Sequence, residues 1–226
     1  MKHIVSILMI TSLFMMSCIG DDFIFDEIEP TIRILNPLQS LEEGTSYQFE
    51  VSYFNNVGIE ESVSNIFWSS ADPSIIAVDD NGLATALMQG QTTVTAEFEI
   101  DGLTIRDDNL IEVSNTTMVE NNQAGGSIMT TSSYVLEGDF IISDNGGRLK
   151  IEFEDNYKAS TALPGLYVYL SNNPNSVAEA HEIGAVEVFE GAHSYDLDDN
   201  IGLNDYSHLL YYCKPFNVKV GDGKIE

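Results

Sequence analysis

The chain contains two cysteines, and the surroundings of each predict a different chemistry. Cys18 closes an N-terminal segment of secretory type, which makes it a candidate for covalent modification. Cys213 is then left without a second thiol in its own chain. Such a thiol either takes part in redox chemistry or packs as a small apolar group, and both interpretations of Cys213 stay open.

The first 17 residues have the pattern of a secretory signal. Lys2 and His3 precede an apolar run over residues 4–16, which is too short to span a bilayer comfortably. Small Ser17 directly before Cys18 resembles the lipobox of bacterial lipoproteins, in which the signal peptidase cuts before a diacylated cysteine. The resemblance implies lipid anchoring in the outer membrane, on either the periplasmic or the surface side. An ordinary secretory peptide with an incidental cysteine is the alternative.

The charge of the chain excludes several classes of partner. Acidic residues number 36 against 9 basic ones, which gives a formal net charge of -27 at pH 7. Removal of the signal takes away Lys2 and changes this charge from -27 to -28. Nucleic acid and anionic lipid headgroups repel such a chain. We therefore expect no nucleic-acid partner, and membrane contact only through lipid on Cys18.

Apolar residues recur with the period of a β-strand along most of the chain. The alternating residues are Tyr47, Phe49, Val51 and Tyr53, then Val94, Ala96, Phe98 and Ile100, and finally Leu149, Ile151 and Phe153. Turn sequences at residues 79–82 and 144–147 separate such runs, as in hairpins. The pattern predicts an all-β fold.

Chain length indicates more than one domain. Residues 1–17 form the signal peptide, and the 209 residues that follow are enough for two ordinary domains. An acidic tether is predicted over residues 18–29 and a first domain over 30–114. The polar, glycine-containing stretch 115–127 lacks strand patterning and is predicted to be a linker. The second domain then covers residues 128–226.

The first domain contains a stretch of 30 residues, 67–96, with the features of a β-sandwich. Trp68 is expected to fill the core rather than to bind carbohydrate, and Pro73 is expected to end a strand. Asn81–Gly82 is expected to form a tight turn, and Gly90 is expected to give the backbone freedom before a long strand. The stretch resembles the group-two bacterial immunoglobulin-like domain of adhesins and surface lipoproteins. That resemblance implies a rigid spacer.

The second domain carries a succession of short motifs. They are Gly138–Phe140, Leu149–Phe153, Leu163–Ser171, Glu182–Val186, Gly191–Tyr195 and Leu210–Gly221. This succession resembles the DM-thirteen, or electron-transfer DM, domain, a β-rich module found beside DOMON and cytochrome b-type domains in animals and in secreted or anchored bacterial proteins. The resemblance implies a second β-sandwich or a barrel-like domain. It also implies that Cys213 is the family cysteine, which serves electron transfer or oxidative modification at cell surfaces.

The chain departs from that family at one place. Where members often have Gly-Pro-Asp before the strand that contains Leu166, this chain has Leu-Pro-Gly-Leu at residues 163–166, without the acidic side chain. The chain also lacks a DOMON domain and a Cys-x-x-Cys-His haem-attachment motif. No cofactor site is therefore evident, and haem is implied only in a partner protein.

Strand geometry decides which residues can influence Cys213. Tyr211 shares its face of the strand, whereas Lys214 points away from the sulfur and does not activate it. His193, beside Tyr195, is a second and weaker catalytic candidate because the fold could bring it near the thiol. Tyrosines near a thiol could relay an electron.

Other chemistry is less well supported. Asp196, Asp198, Asn200 and Asp205 suggest calcium, but the loop lacks the glycine position and the closing glutamate of an EF-hand, so a solvated loop is the alternative. The histidines show no spacing typical of zinc enzymes or hydrolases. The sequence therefore predicts no metal site and favours no hydrolase or metalloenzyme.

Two functions remain. The first is a lipid-anchored electron-transfer or thiol-redox module on an immunoglobulin-like spacer, with Cys213 as its working group and an unidentified redox protein as partner. The second is a non-catalytic surface adhesion or binding lipoprotein that recognises a surface ligand, in which Cys213 is structural.

Overall fold

The computed structural model confirms the all-β prediction. The described residues are 26–119, 123–144, 147–197 and 200–226. Across these ranges the chain forms β-strands, and its helical structure is a 3₁₀ turn at Lys214–Phe216. No helix in the same ranges is long and apolar enough to cross a membrane. The predicted signal peptide and the lipidation candidate Cys18 lie outside the described residues.

The N-terminal half is a β-sandwich of eleven strands among the described residues. They are β1 Thr31–Ile34, β2 Leu38–Glu42, β3 Ser46–Gln48, β4 Val51–Phe54, β5 Glu60–Glu61, β6 Phe67–Ser70, β7 Ile76–Val78, β8 Leu83–Ala86, β9 Gly90–Ile100, β10 Leu103–Ser114 and β11 Met118–Val119. One sheet has the order β11-β2-β10-β9-β6, and two three-stranded sheets have the orders β1-β4-β5 and β3-β8-β7. The strands β10 and β2 pair in parallel, and the long hairpin β9–β10 is antiparallel.

Trp68 fills the core of this sandwich, as predicted. It is 6% exposed and stacks on Phe49, with ring centroids 5.7 Å apart. Gly82 has a φ of +81°, and a Cβ there would lie 2.8 Å from Cε2 of Trp68. The predicted turn therefore supplies the positive φ and also leaves the space that the indole needs.

One strand prediction is wrong in its extent. The alternating run from Tyr47 to Tyr53 is divided between β3 and β4, which belong to different sheets. The buried Phe49 lies between the two strands. Tyr47, Phe49 and Val51 nevertheless pack in the same core cluster, so the alternation continues across the break.

The C-terminal half forms a nearly closed, barrel-like sheet of nine strands among the described residues. They are β12 Gln123–Thr130, β13 Leu136–Asp144, β14 Leu149–Phe153, β15 Lys158–Ala159, β16 Leu166–Ser171, β17 His181–Ala185, β18 His193–Asp196, β19 His208–Cys213 and β20 Val218–Lys224. Their order is β17-β16-β19-β20-β12-β13-β14-β18, and β15 pairs with β13. The sheet therefore places β19 and β18, which carry the predicted site residues, around one core.

The predicted linker contains strands that its composition does not indicate. Within residues 115–127, β11 pairs with β2 and β12 pairs with β13. The glycines explain the missing pattern. A Cβ at Gly125 would lie 2.7 Å from the carbonyl oxygen of Phe140, and one at Gly126 would collide with the carbonyl oxygen of Lys224. Glycine is required in this strand because neighbouring backbone approaches it closely.

Hydrogen bonds join the two halves. Arg33 of β1 donates to the carbonyl oxygen of Asn204 at 2.8 Å. The side-chain amide of Asn173 donates to the carbonyl oxygens of Val57 at 2.9 Å and Asp26 at 2.5 Å. The chain segment that enters the first domain is therefore held at the junction.

Candidate functional site

Cys213 is the last residue of β19 and lies in the barrel core. Its side chain is 1% exposed and packs in the main apolar cluster of this half of the chain. The thiol donates to the carbonyl oxygen of Pro164, with an Sγ–O distance of 3.7 Å. Pro164 belongs to the segment 163–166 in which the sequence departs from the DM-thirteen pattern. The altered segment is thus the one that contacts the thiol.

The predicted faces of β19 are confirmed. Leu209, Tyr211 and Cys213 pack in the main barrel core. Leu210 and Tyr212 belong to a separate buried cluster on the other side of the sheet. The thiol therefore shares its environment with the phenol of Tyr211.

The ammonium of Lys214 is directed toward surface groups and away from the thiol, as predicted. Its ammonium lies 2.6 Å from a carboxylate oxygen of Glu182 and 4.6 Å from the ring centroid of Tyr167. Its side chain is about half exposed. The hydrogen bond from Lys214 lowers the pKa of Glu182, and the cation is engaged at the surface rather than at the sulfur.

His193 of β18 is packed among aromatic rings. It stacks on Phe153 with ring centroids 4.5 Å apart and meets Tyr157 edge to face at 4.5 Å. Its Nδ1 lies 2.9 Å from the carbonyl oxygen of Gly191. A carbonyl oxygen can only accept, so Nδ1 carries the proton, and Nε2 is the proton-accepting nitrogen of the neutral ring.

Tyr157 links this histidine to the strand of the thiol. Its ring centroid lies 6.4 Å from that of Tyr211. Burial raises the pKa of Tyr157 to about 12 and raises that of Tyr211 well above its ordinary value. The two hydroxyls influence each other's pKa, but neither makes a hydrogen bond of normal geometry.

The structure thus connects the two predicted site residues through two tyrosines. His193 contacts Tyr157, Tyr157 contacts Tyr211, and Cys213 lies two residues beyond Tyr211 on the same face. Tyr157 was not among the residues that the sequence indicated as a site. The sequence did contain one signal for it. An aromatic residue directly follows the polar turn at residues 154–156, where neighbouring residues do not predict a buried side chain.

The remaining tyrosines near the thiol in sequence face elsewhere. Tyr169 packs with Tyr212 in the separate buried cluster, and Tyr167 contacts that cluster. The hydroxyl of Tyr169 donates to Glu182 at 3.0 Å. Of the tyrosines on β16 and β19, Tyr211 is therefore the one that faces the barrel core with the thiol.

In the loop considered for calcium, residues 196–205, one carboxylate makes a hydrogen bond within the loop. Asp205 accepts a hydrogen bond from the backbone N–H of Gly202 at 2.6 Å. Asp198 lies outside the described residues. Within the described ranges, no three or more His, Cys, Asp or Glu side chains are grouped so that they could hold a metal ion. The calcium suggestion remains a prediction.

Comparison with known proteins identifies the C-terminal half. Residues 128–225 match the family model described as Electron transfer DM13. This half is a DM13 domain. The match contains Tyr157, His193, Tyr211 and Cys213, so the whole aromatic path and the thiol belong to the DM13 domain.

One curated relative shares part of the chain. An uncharacterized protein of Clostridium acetobutylicum is 41% identical over 54 residues, which cover 24% of this chain and 13% of the relative. The similarity is local, and it carries no functional statement beyond the DM13 match.

Proposed function

We propose that this protein is a lipid-anchored cell-envelope protein whose DM13 domain transfers electrons through Cys213. In this proposal the N-terminal sandwich is an immunoglobulin-like spacer, and the partner is a redox protein, which could carry haem. The observation that carries the proposal is the Electron transfer DM13 match over residues 128–225, which contains the only cysteine of the described residues.

Burial of Cys213 favours electron transfer over thiol–disulfide exchange. Exchange requires a thiolate that a disulfide can reach, and a side chain that is 1% exposed offers no such access in the folded state. An electron needs no direct contact between the sulfur and the partner. The aromatic rings between Cys213 and His193 supply a covered route to β18.

The thiol is tested by voltammetry of the protein adsorbed on an electrode, in a Cys18→Ala background in which Cys213 is the single cysteine. We expect an oxidation wave, in which the Cys213 thiol gives one electron to the electrode and its proton to the buffer and regains both on the return scan, and we expect this wave to disappear in Cys213→Ala. Cys213→Ser is the matched variant, because its hydroxyl can still donate to Pro164. Equal waves in all three proteins, with melting temperatures unchanged, would exclude Cys213 as the electron carrier.

Alkylation of Cys213 in the same background separates electron transfer from exchange. We expect the folded protein to react slowly with iodoacetamide and the denatured protein to react fast, since the sulfur is buried. A fast folded-state rate would instead support direct thiol chemistry.

A non-catalytic binding function is the second candidate. The same buried, hydrogen-bonded thiol has the environment of a structural cysteine. On this view the adhesion surface lies elsewhere, and Cys213→Ser changes neither partner binding nor electron exchange. The absence of a redox wave in the native protein would favour this function.

Lipid anchoring is tested separately in a bacterial host. Incorporation of an alkyne-labelled fatty acid and recovery in the outer membrane are expected for the native chain and lost in Cys18→Ala. Digestion of intact cells by an added protease then distinguishes surface from periplasmic exposure. Unchanged labelling in Cys18→Ala would exclude this anchor.

A further inference from the structure

Three buried side-chain polar atoms of the described residues make no hydrogen bond of normal geometry: the hydroxyls of Tyr157 and Tyr211, which interact with each other, and Nε2 of His193. All three belong to one group of contacting side chains in the DM13 domain. Buried polar groups are normally partnered, because an unpartnered one weakens the fold. Phenylalanine could fill either tyrosine position without that loss. The retained hydroxyls therefore point to a chemical use.

The geometry holds the group in place. The ring centroids of Tyr157 and His193 are 4.5 Å apart, and those of Tyr157 and Tyr211 are 6.4 Å apart. A Cβ at Gly138 would lie 2.7 Å from Cα of Tyr157, so the sheet packs directly against the tyrosine backbone. Cys213 follows Tyr211 by two strand residues, or about 7 Å.

His193 contacts Tyr157 edge to face, and its Nε2 is the ring nitrogen that can accept a proton. The bond between Nδ1 and the carbonyl of Gly191 fixes the proton on Nδ1 in the neutral ring and leaves the lone pair on Nε2. Burial raises the pKa of Tyr157 to about 12, so this residue is a neutral phenol at physiological pH. A neutral phenol that loses an electron must also release its proton, and an adjacent base makes that step easier.

We propose that Tyr157 is a buried redox-active tyrosine, with His193 as its proton acceptor. One electron passes from the Tyr157 phenol to a one-electron oxidant, such as an oxidised metal centre of a partner protein, which is thereby reduced. The phenol O–H bond breaks, and the proton moves to Nε2 of His193 across one water molecule, since no direct hydrogen bond joins the two atoms. A neutral tyrosyl radical and an imidazolium remain, and return of one electron and the proton restores both residues. Tyr211 is a positioning residue between this site and Cys213.

This inference deepens the proposed electron-transfer function and is tested without relying on the thiol. The full chain is oxidised with tris(bipyridine)ruthenium(III) generated by a light flash, and tyrosyl radical is followed by transient absorption and electron paramagnetic resonance. We expect a long-lived radical in the native protein and in Cys213→Ala. It should be absent in Tyr157→Phe and retained in the control Tyr134→Phe, which removes a phenol that is 40% exposed.

The role of His193 has its own measurement. His193→Phe keeps an aromatic ring but no base, and we expect radical formation to slow by about a hundredfold. The melting temperature of Tyr157→Phe should equal or exceed that of the native protein, which separates loss of chemistry from loss of fold. A long-lived radical that persists in Tyr157→Phe, or an unchanged rate in His193→Phe, would overturn the proposal. If the native protein shows no redox wave from Cys213 but still forms the Tyr157 radical, the proposed role of the thiol is overturned and that of Tyr157 is not.

Discussion

The two halves of this molecule are both built from β-strands, but their cores differ in chemical content. The main apolar cluster of the N-terminal half packs around Trp68 and Phe49. The barrel core contains a thiol, two phenols and the adjoining imidazole of His193. Strand architecture therefore does not distinguish the two halves, whereas the thiol and the imidazole beside the barrel core do.

Hydrogen bonding shows the same difference. In the N-terminal half the buried Ser40 hydroxyl donates to the carbonyl oxygen of Thr116 at 2.8 Å, and the side chain of Asn109 bonds both the N–H and the carbonyl of Leu38. The unpartnered buried side-chain atoms of the described residues all lie in the DM13 domain. A core that only supports structure pairs its polar atoms, and a core in which they stay unpaired is the better candidate for chemistry.

The largest expected effect tests the structural role of the N-terminal core. Trp68→Ala removes the central side chain, and we expect the free energy of unfolding of this half to fall by about 3–5 kcal/mol. Urea unfolding followed by circular dichroism measures the loss. The Tyr157 radical should persist where the DM13 domain remains folded. Loss of the radical while the barrel is still folded would show that the two halves are not chemically separate.

A glycine pair tests how tightly the barrel holds Tyr157. Gly138 and Gly184 have similar φ values, +143° and +151°, but only a Cβ at Gly138 meets a neighbour, Cα of Tyr157 at 2.7 Å. Both alanine variants carry backbone strain, so we expect Gly138→Ala to lose about 2 kcal/mol more than Gly184→Ala. Thermal unfolding of both variants measures the difference. Equal losses would mean that Tyr157 can move away from β13.

Removing one hydroxyl from each core should give effects of opposite sign. Tyr211→Phe deletes an unpartnered phenol oxygen, and we expect unchanged stability or a gain of about 1 kcal/mol. Ser40→Ala deletes a bonded hydroxyl and should lose about 1 kcal/mol. Chemical denaturation of both variants decides the comparison. Destabilisation by Tyr211→Phe would mean that this phenol has a partner in solution.

The smallest effect is acid sensitivity of the barrel. Burial, with nearby cations, lowers the pKa of His208, although Asp222 opposes the shift. A lowered pKa in the folded state gives a stability contribution that is present above the unfolded pKa of about 6.5 and is lost as pH falls through the folded value. We expect His208→Gln to flatten the dependence of melting temperature on pH between 7 and 5. His181→Gln, on β17, is the control.

Features set by local chemistry could be predicted from the sequence. The turn at Asn81–Gly82, the burial of Trp68 and the two faces of β19 follow from turn preference, size and strand alternation. These features depend on a few neighbouring residues. They can therefore be predicted from the sequence without knowing which strands pair.

Features set by distant neighbours could not be predicted. Gly125 and Gly126 resemble a linker in composition but form part of β12, because backbone of β13 and β20 approaches them. Tyr157 becomes part of the site only when β14 and β18 bring His193 against it. The position of the two glycines in β12 and the contact between Tyr157 and His193 both depend on pairing between strands that are far apart in the chain. The local sequence pattern does not indicate that pairing.

The bond from Asn173 to the carbonyl oxygen of Asp26 has a consequence for the reach of the protein. It places Asp26, the first described residue, at the junction of the two halves. If Cys18 carries lipid, eight Cα–Cα steps separate it from Asp26, which sets an upper limit of about 28 Å on the distance between the two residues. The junction of the two halves would then lie within that distance of the bilayer, so the sandwich could not act as a long stalk between the lipid and the DM13 domain.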